Sequence, residues 1–269
     1  MALADAVPGG GPAKSQLDLG AYISQLDDNG KALAAAAGAA GLDAHVPSCP
    51  GWSVRHLLAH VGYVHRWATA HVAEAAAEMA EDISKDEIFS RRPADAELLN
   101  WYEAGQAALV ASLRAAPADL QCWTFMAAPS PLVFWARRQA HETAVHRVDA
   151  ELAAGRQVGQ FSTEFAVDGL DELLCGFAPR KRTGQAVKLP WSLAVEADEG
   201  GCLWTVTVGP EAVSATRQGG PSPDCKLSGP AHELYLALWN RRSTSSGLLR
   251  AQGDESVLQR WASFIRVDW

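Results

Sequence analysis

The cysteines of this chain form no pattern. Five are scattered through 269 residues, and no two are arranged as Cys-X-X-Cys. They are Cys49, Cys122, Cys175, Cys202 and Cys225. An odd, scattered set predicts neither a disulfide framework nor a zinc site built from cysteines.

Long apolar runs and basic clusters interleaved with aromatic residues are also missing. No apolar run reaches the roughly 18 residues that a membrane span needs, and the first residues lack the basic and then apolar pattern of a signal peptide. We therefore expect a cytoplasmic protein with no membrane partner. The formal net charge is −8, and no Lys/Arg cluster is interleaved with aromatic residues, which argues against a nucleic-acid partner.

What the chain does have is typical of a globular protein. It is 48% hydrophobic and 20% charged, which places it in the ordinary soluble class. Its length suffices for one large domain or two modest ones. Ten tryptophans occur in both halves, which suggests two cores or a broad aromatic-lined cleft.

The first half of the sequence has the periodicity of long helices. Apolar residues recur at three- and four-residue spacing in four stretches, each bounded by Gly, Pro or a good N-cap residue. The stretches are 15–37, 54–79, 94–116 and 132–154. Four helices of this length predict a four-helix bundle over residues 15–155.

The character of the sequence changes after Gly155. A helical stretch at 161–177 is followed by short segments typical of strands, with a hairpin signal at residues 198–201. The predicted strands are 187–197, 202–208, 213–217, 225–228 and 247–251, and helices are predicted from Pro230 and over 255–265. Residues 156–269 therefore read as a small α+β domain with an antiparallel sheet.

Glu142 and His146 stand out in the last helix of the bundle. They are four residues apart, so they stack on one face with Cβ atoms roughly 5–6 Å apart. A carboxylate and an imidazole so placed can bind one divalent cation, provided that another helix supplies a further ligand. The alternatives are a surface ion pair or a buried hydrogen bond. His141, five residues before His146, is expected to point away from it.

His60 in the second helix is the candidate for that further ligand. It shares the apolar face of the helix with leucine, valine and tryptophan side chains, and a buried polar group needs a hydrogen-bond or metal partner. His56 stacks on His60 at a spacing of four and is a rival ligand. His65 and His71 are expected on the solvent side. The alternative for His60 is a core histidine satisfied by a hydrogen bond.

Facing helices of a bundle can bring such residues together in its core. His60, Glu142 and His146 would give two imidazoles and one carboxylate, a known catalytic zinc set that leaves a position for water or substrate. The same set can hold several divalent metals, so it does not distinguish zinc from nickel or iron.

Three groups of residues resemble one known family, the mycothiol-dependent maleylpyruvate isomerases. The first two lie in the bundle: the loop and helix start at 46–54 with the Leu-Leu-Ala-His-Val-Gly that follows it at 57–62, and the His-Glu and Val-His-Arg-X-Asp segments at 141–149. The third comprises 227–241, 253–254 and Trp261. The resemblance covers residues from about 15 to 266. It implies a DinB-like metal-binding four-helix bundle followed by a smaller C-terminal domain.

The resemblance also implies roles for particular residues. His60, Glu142 and His146 would bind one zinc ion, and Asp149 and Arg241 would be functionally important. Asp149 lies seven residues beyond Glu142, where it could orient His146 or bind a polar group of the thiol. Arg241 would bind a substrate carboxylate; the alternative is a charge facing the dipole at a helix C-terminus. His56 stands where the family usually has an acid, which leaves open whether His56 enters the site.

The function implied by the family is a zinc-dependent enzyme with the actinobacterial thiol mycothiol as co-substrate. It would be an isomerase of the maleylpyruvate type, or an S-transferase that adds mycothiol to a small electrophile. The alternative is a non-catalytic metal- or thiol-binding module or sensor with the same fold. The expected partners are small molecules, and the chain is expected to be a monomer or dimer.

Overall fold

The computed structural model describes residues 17–79, 85–181, 189–220 and 222–266. Contacts along the chain divide it into two compact units, one comprising Leu17–Gln160 and the other beginning at Phe161. The domain boundary placed at residue 155 from the sequence stays a prediction.

The first unit is helical, as the sequence predicts. Four long helices pack against one another, with α1 along α5 and α2 along α4, and α2 also contacts α5. A short helix, α3, lies between α2 and α4 and contacts α2. The helices are α1 (Leu19–Ala40), α2 (Val54–Ala73), α3 (Lys85–Ser90), α4 (Asp95–Ala115) and α5 (Pro131–Ala153).

The ends of α5 carry the signals expected of a stable helix. The Ser130 side chain accepts a hydrogen bond from the Val133 backbone nitrogen at 3.2 Å, and Pro131 occupies the first turn. These residues satisfy or remove backbone N–H groups that a helix start leaves unpaired. Beyond the other end, Gly155 adopts φ +65°, a left-handed conformation that favours glycine.

Helix α2 ends earlier than its sequence pattern predicts. The alanine-rich stretch predicts a helix to residue 79, but the last helical residue is Ala73. Ala75 has φ +50°, which turns the chain away from the helix axis. Alanine is a strong helix former, so this turn leaves no signal in the sequence.

Glycine allows α2 and α4 to approach closely. A Cβ atom added at Gly62 would lie 2.2 Å from a ring carbon of Trp101, which is far inside van der Waals contact. Nearby, the Tyr102 hydroxyl donates to the Gly30 carbonyl at 3.2 Å and ties α4 to α1. The core of this unit includes an aliphatic cluster with Leu33, Leu57, Leu58, Val61 and Leu98, and also buried aromatic side chains such as Tyr22 and Trp135.

The second unit combines helices with a five-stranded sheet of order β3-β2-β1-β4-β5. Its α-helices are α6 (Thr163–Asp171), which continues as a π-helical segment at Glu172–Phe177, α7 (Ala231–Leu238) and α8 (Ser256–Phe264). Its strands are β1 (Trp191–Ala197), β2 (Leu203–Val208), β3 (Val213–Thr216), β4 (Cys225–Gly229) and β5 (Arg250–Gly253). The α+β fold class predicted from the sequence is confirmed.

The sheet differs from the prediction in one pair of strands. The pairs β1–β2, β2–β3 and β4–β5 are antiparallel as predicted, and the predicted hairpin turn contains Gly200 and Gly201 at φ +71° and +60°. The pair β1–β4 is parallel, with Leu193 opposite Cys225. The reason is that β3 lies at the edge, so the chain must cross β2 and β1 before it adds β4. The sheet is therefore mixed.

An ion pair between the buried Asp171 and the half-buried Arg217 holds the start of that crossing segment. Both oxygens of Asp171 accept hydrogen bonds from Arg217, at 2.6 Å from Nε and 2.9 Å from Nη2. Trp204 Nε1 also donates to Asp171 at 3.1 Å. Residues from α6, β2 and the start of the crossing are thereby joined in the core of this unit.

In the part of the chain that the structure describes, no helix is long and apolar enough to cross a membrane.

Candidate metal centre

Helices α2 and α5 bring three of the sequence-predicted residues together. Glu142 Oε1 lies 3.2 Å from Nε2 of His60 and 3.2 Å from Nε2 of His146. One donor atom from each residue lies within 4.8 Å of the others, and among the described residues this is the only such group of three or more metal-ligating side chains. We call it the converging cluster.

The converging cluster is almost closed to solvent. His60 and His146 are each 4% exposed, and the Glu142 side chain is 14% exposed. The two imidazole rings meet edge to face with centroids 5.0 Å apart. Trp52, from the loop that precedes α2, stacks on His146 at an interplanar angle of 15° and lies 5.2 Å from the ring of His60. This aromatic wall keeps the local dielectric low, so charges inside interact strongly.

Asp149 fixes the orientation of His146. Its Oδ2 lies 2.8 Å from His146 Nδ1, so the other ring nitrogen is the one that faces Glu142. Ser48 Oγ donates to Oδ1 of the same carboxylate at 2.5 Å, and Cys49 Sγ lies 3.4 Å from Oδ2. A carboxylate that holds the distal nitrogen of a ligating imidazole is the usual support of a histidine metal ligand.

Arg138 approaches the cluster from one turn earlier on α5. Its Nη2 donates to Glu142 Oε2 at 2.8 Å, and the residue is only 3% exposed. The two oxygens of Glu142 therefore have different partners: Oε2 is bound by a guanidinium, and Oε1 faces the two imidazoles.

The pKa values of the cluster follow from this arrangement. Burial alone would raise the pKa of Glu142, but hydrogen bonds with His146 and His60 and the charge of Arg138 hold it well below its ordinary value. Burial lowers the pKa of His60. Burial would also lower that of His146, yet the hydrogen bonds to Asp149 and Glu142 raise its pKa. Glu142 is thus a carboxylate at neutral pH.

These residues fit a divalent cation. Zinc bonds to imidazole nitrogen and carboxylate oxygen at about 2.0–2.2 Å, so two donors of one ion lie at most about 4.4 Å apart. The 3.2 Å between Glu142 Oε1 and the Nε2 atom of each histidine is within that limit. Two imidazoles and one carboxylate suit zinc and neighbouring divalent metals. The distal nitrogen of His146 is already held, as a preformed metal ligand requires.

His56 has a different partner. Its Nδ1 accepts a hydrogen bond from the Ser53 backbone nitrogen at 3.1 Å and lies 2.9 Å from Ser53 Oγ, as part of the cap of α2. The ring stacks on Phe89 with centroids 4.4 Å apart. His56 is not in the converging cluster.

The expectation that His65 and His71 face solvent is wrong. Both are fully buried. His65 Nε2 lies 2.8 Å from Thr143 Oγ1, and His71 stacks on Trp135 with centroids 4.9 Å apart. Helix α2 is buried on more than one side because it contacts both α4 and α5. A single apolar stripe is therefore a poor description of it.

Arg241 lies in the second unit, just after α7. Its Nη1 donates to the Trp239 carbonyl at 2.7 Å, and its side chain is partly buried. This contact with a carbonyl at the helix C-terminus is the one that the helix-dipole alternative expects. A role of Arg241 in substrate binding stays a prediction.

Ser48, Cys49 and Arg138 were not identified from the sequence. The sequence does indicate that Arg138 lies near Glu142, because it precedes Glu142 by four residues and so lies on the same helical face. Ser48 and Cys49 reach Asp149 across about a hundred residues of chain, and their loop conformation cannot be derived from local pattern.

Comparison with protein families is decisive. Residues 23–151 match the family model described as the mycothiol maleylpyruvate isomerase N-terminal domain, and residues 164–260 match the model of the C-terminal domain of the same family. The chain belongs to the mycothiol-dependent maleylpyruvate isomerase family. Together the two family matches include every residue of the converging cluster, Asp149 and Arg241.

Solved structures of this family have the same fold. A crystal structure of the mycothiol-dependent maleylpyruvate isomerase matches with a TM-score of 0.63 at 14% identity, over 88% of this chain and 93% of that one. A histidine-to-alanine mutant of that enzyme matches with a TM-score of 0.63 at 13% identity, over the same shares. At this identity the likeness shows the fold alone. A comparison with curated proteins finds no match.

Proposed function

We propose that this protein is a zinc-dependent enzyme that uses mycothiol as co-substrate and isomerises a substrate of the maleylpyruvate type. The observation that carries the proposal is the converging cluster, buried between α2 and α5 in a chain of this family. The partners in this proposal are therefore a low-molecular-weight thiol and a small electrophile. The proposed compartment is the cytoplasm.

The roles of the chain's own residues follow from the geometry. His60, Glu142 and His146 would hold the zinc ion through one donor atom each. A bound zinc ion supplies the charge that stabilises a thiolate over a thiol at neutral pH. Asp149 holds His146 through Nδ1, and the ring of Trp52 packs against both imidazoles.

The chemistry that a thiolate offers accounts for both candidate reactions. Its sulfur forms a bond to one carbon of an electron-poor cis double bond, and the π electrons move onto the electron-withdrawing group. The former double bond can then rotate, and elimination of the thiolate restores the alkene in the trans form. An S-transferase would instead protonate the carbon and keep the adduct. Arg241 is proposed to bind a substrate carboxylate as a bidentate partner.

The direct test is turnover by the zinc-loaded protein with mycothiol and maleylpyruvate, followed by NMR of the trans isomer. Activity should vanish in His60→Ala and persist in His56→Ala, because His56 caps α2 and lies outside the converging cluster. Equal loss in both variants would contradict the assignment of the ligands.

The same experiment separates the alternatives. Accumulation of a stable mycothiol adduct, detected by mass spectrometry, would identify an S-transferase. Tight binding of zinc and thiol without turnover of any electrophile tested would identify a non-catalytic binding module or sensor.

A further inference from the structure

The carboxylate of Glu142 is held asymmetrically. Oε1 lies 3.2 Å from the Nε2 atoms of both histidines of the converging cluster, whereas Oε2 accepts a hydrogen bond from Arg138 Nη2 at 2.8 Å. A carboxylate that has no other hydrogen-bond partner can bind a metal through one oxygen or through both. Here a protein group already occupies one of the two.

The contact with Arg138 is strong for two reasons. Arg138 is 3% exposed, so the ion pair lies in a desolvated region, where a charge-assisted hydrogen bond is stronger than at the surface. Arg138 and Glu142 are also four residues apart on α5, so a rigid helix sets their separation. Turning the carboxylate so that both oxygens face a cation in the converging cluster would break this buried ion pair, which is costly.

We propose that Arg138 is a positioning residue that reserves Oε2 of Glu142, so that Glu142 offers the cation a single oxygen. The inference rests on the proposed function, since it assumes that the converging cluster binds a divalent cation. Its consequence is a lower number of protein ligand atoms. A carboxylate bound through one oxygen leaves a coordination position for the thiol that a carboxylate bound through two would fill.

The chain offers a matched control on the same helix. Arg147 is also buried, at 7% exposure, and also pairs with a glutamate four residues later, Glu151, at 3.3 Å. Its Nη2 donates to the Gly159 carbonyl at 2.8 Å. Arg147→Met removes a buried guanidinium from α5 as Arg138→Met does, but it leaves the carboxylate of Glu142 untouched.

The experiment uses the full chain loaded with Co²⁺, whose visible absorption weakens as its coordination number rises. We expect Arg138→Met to lose band intensity relative to wild type, Arg138→Lys to regain much of it, and Arg147→Met to keep the wild-type spectrum. The inference is overturned if Arg138→Met keeps the wild-type spectrum, or if Arg147→Met changes it equally.

A second measurement needs no variant. In a crystal structure of the zinc-loaded wild type, Oε1 alone should lie within the roughly 2.0–2.2 Å of a zinc–carboxylate bond. Both oxygens at that distance would overturn the role of Arg138 even if the variants do not fold. Failure of the wild type to bind Co²⁺ or Zn²⁺ would instead contradict the proposed function.

Discussion

Two groups of buried histidines in the helical unit differ in what meets their rings. His60 and His146 converge on one oxygen of Glu142. His65 and His71, which we call the packed histidines, are at least as deeply buried but meet a threonine hydroxyl and a tryptophan ring. Burial on α2 therefore does not by itself mark a metal ligand. What distinguishes the two proposed ligands, His60 and His146, is that two helices bring their donor atoms to the same point.

The electrostatics of the two groups differ in the same way. Burial lowers the pKa of both packed histidines, to about 3 for His65. His146 is buried as well, yet its pKa is raised because two carboxylates, Asp149 and Glu142, contact its ring. The packed histidines are thus neutral in the core, whereas His146 lies between two carboxylates, whose charge a bound cation would offset.

The largest expected effect separates the two groups by metal removal. A cation that binds only the folded state adds about 4 kcal/mol at a thousandfold excess over its Kd. At about 2–4 °C per kcal/mol, a chelator should lower the wild-type Tm by roughly 8–16 °C. The same drop is expected in His65→Asn, and none in His60→Ala. Calorimetry with and without chelator measures the change in Tm. A His60→Ala variant whose Tm falls on addition of chelator would contradict the distinction between the two groups of histidines.

The next effect concerns the carboxylate that supports His146. Asp149→Asn should weaken zinc binding about 10- to 100-fold, because loss of such a support changes the orientation and basicity of the imidazole. Competition with a chromophoric chelator measures the affinity. Glu151→Gln, which alters a carboxylate two residues later on α5 that pairs with Arg147, should leave the affinity unchanged. An unchanged zinc affinity in Asp149→Asn would contradict the proposed role of Asp149 in supporting His146.

The packed histidines should make the fold sensitive to acid. The folded-state pKa of His65 is about 3, below the unfolded value of about 6.5, so the unfolded chain takes up this proton first. Its contribution is therefore complete above pH 6.5 and falls by about 1.4 kcal/mol per pH unit as the pH drops toward 3. Urea unfolding at pH 7 and pH 5 should show a shallower pH dependence in His65→Asn.

An exposed substitution that changes no titratable group provides the control for this measurement. Gln121→Asn should keep the wild-type pH dependence of the free energy of unfolding. If the free energy of unfolding of His65→Asn depends on pH as strongly as that of the wild type, the account of His65 as a buried, neutral histidine is contradicted.

The smallest effect lies one contact further from the cluster. Ser48 donates to Asp149 Oδ1, so Ser48→Ala should weaken zinc binding by less than tenfold, or under about 1.4 kcal/mol. Cys49→Ala should change the affinity still less, because its sulfur contact at 3.4 Å is a weak hydrogen bond. A loss in Ser48→Ala as large as in Asp149→Asn would show that the loop, not the carboxylate, positions His146.

The converging cluster could be foreseen in part, because one of its two pairs is local, whereas His60 meets Glu142 from another helix. Glu142 and His146 share one helical face by their spacing, and the apolar neighbours of His60 indicate burial. The packed histidines could not be foreseen, since the number of helices that surround α2 depends on tertiary contacts. The same holds for Ser48, whose partner lies about a hundred residues away.

The fold shows a similar division between local and distant determinants. Strong periodicity identified the long helices and the β1–β2 hairpin, whose two glycines adopt the positive φ that the turn requires. The parallel β1–β4 pair depends on where the chain re-enters the sheet, and no residue in either strand encodes that. The end of α2 depends on Ala75, whose positive φ runs against its propensity.

The central claim is that the converging cluster holds a metal ion, and elemental analysis of the purified protein tests it most directly. Wild type and His146→Ala are measured side by side, with His65→Asn as the control for loss of a buried histidine. The account predicts about one zinc ion per chain in wild type and in His65→Asn, and none in His146→Ala. A wild type without metal, even after incubation with zinc, would contradict it.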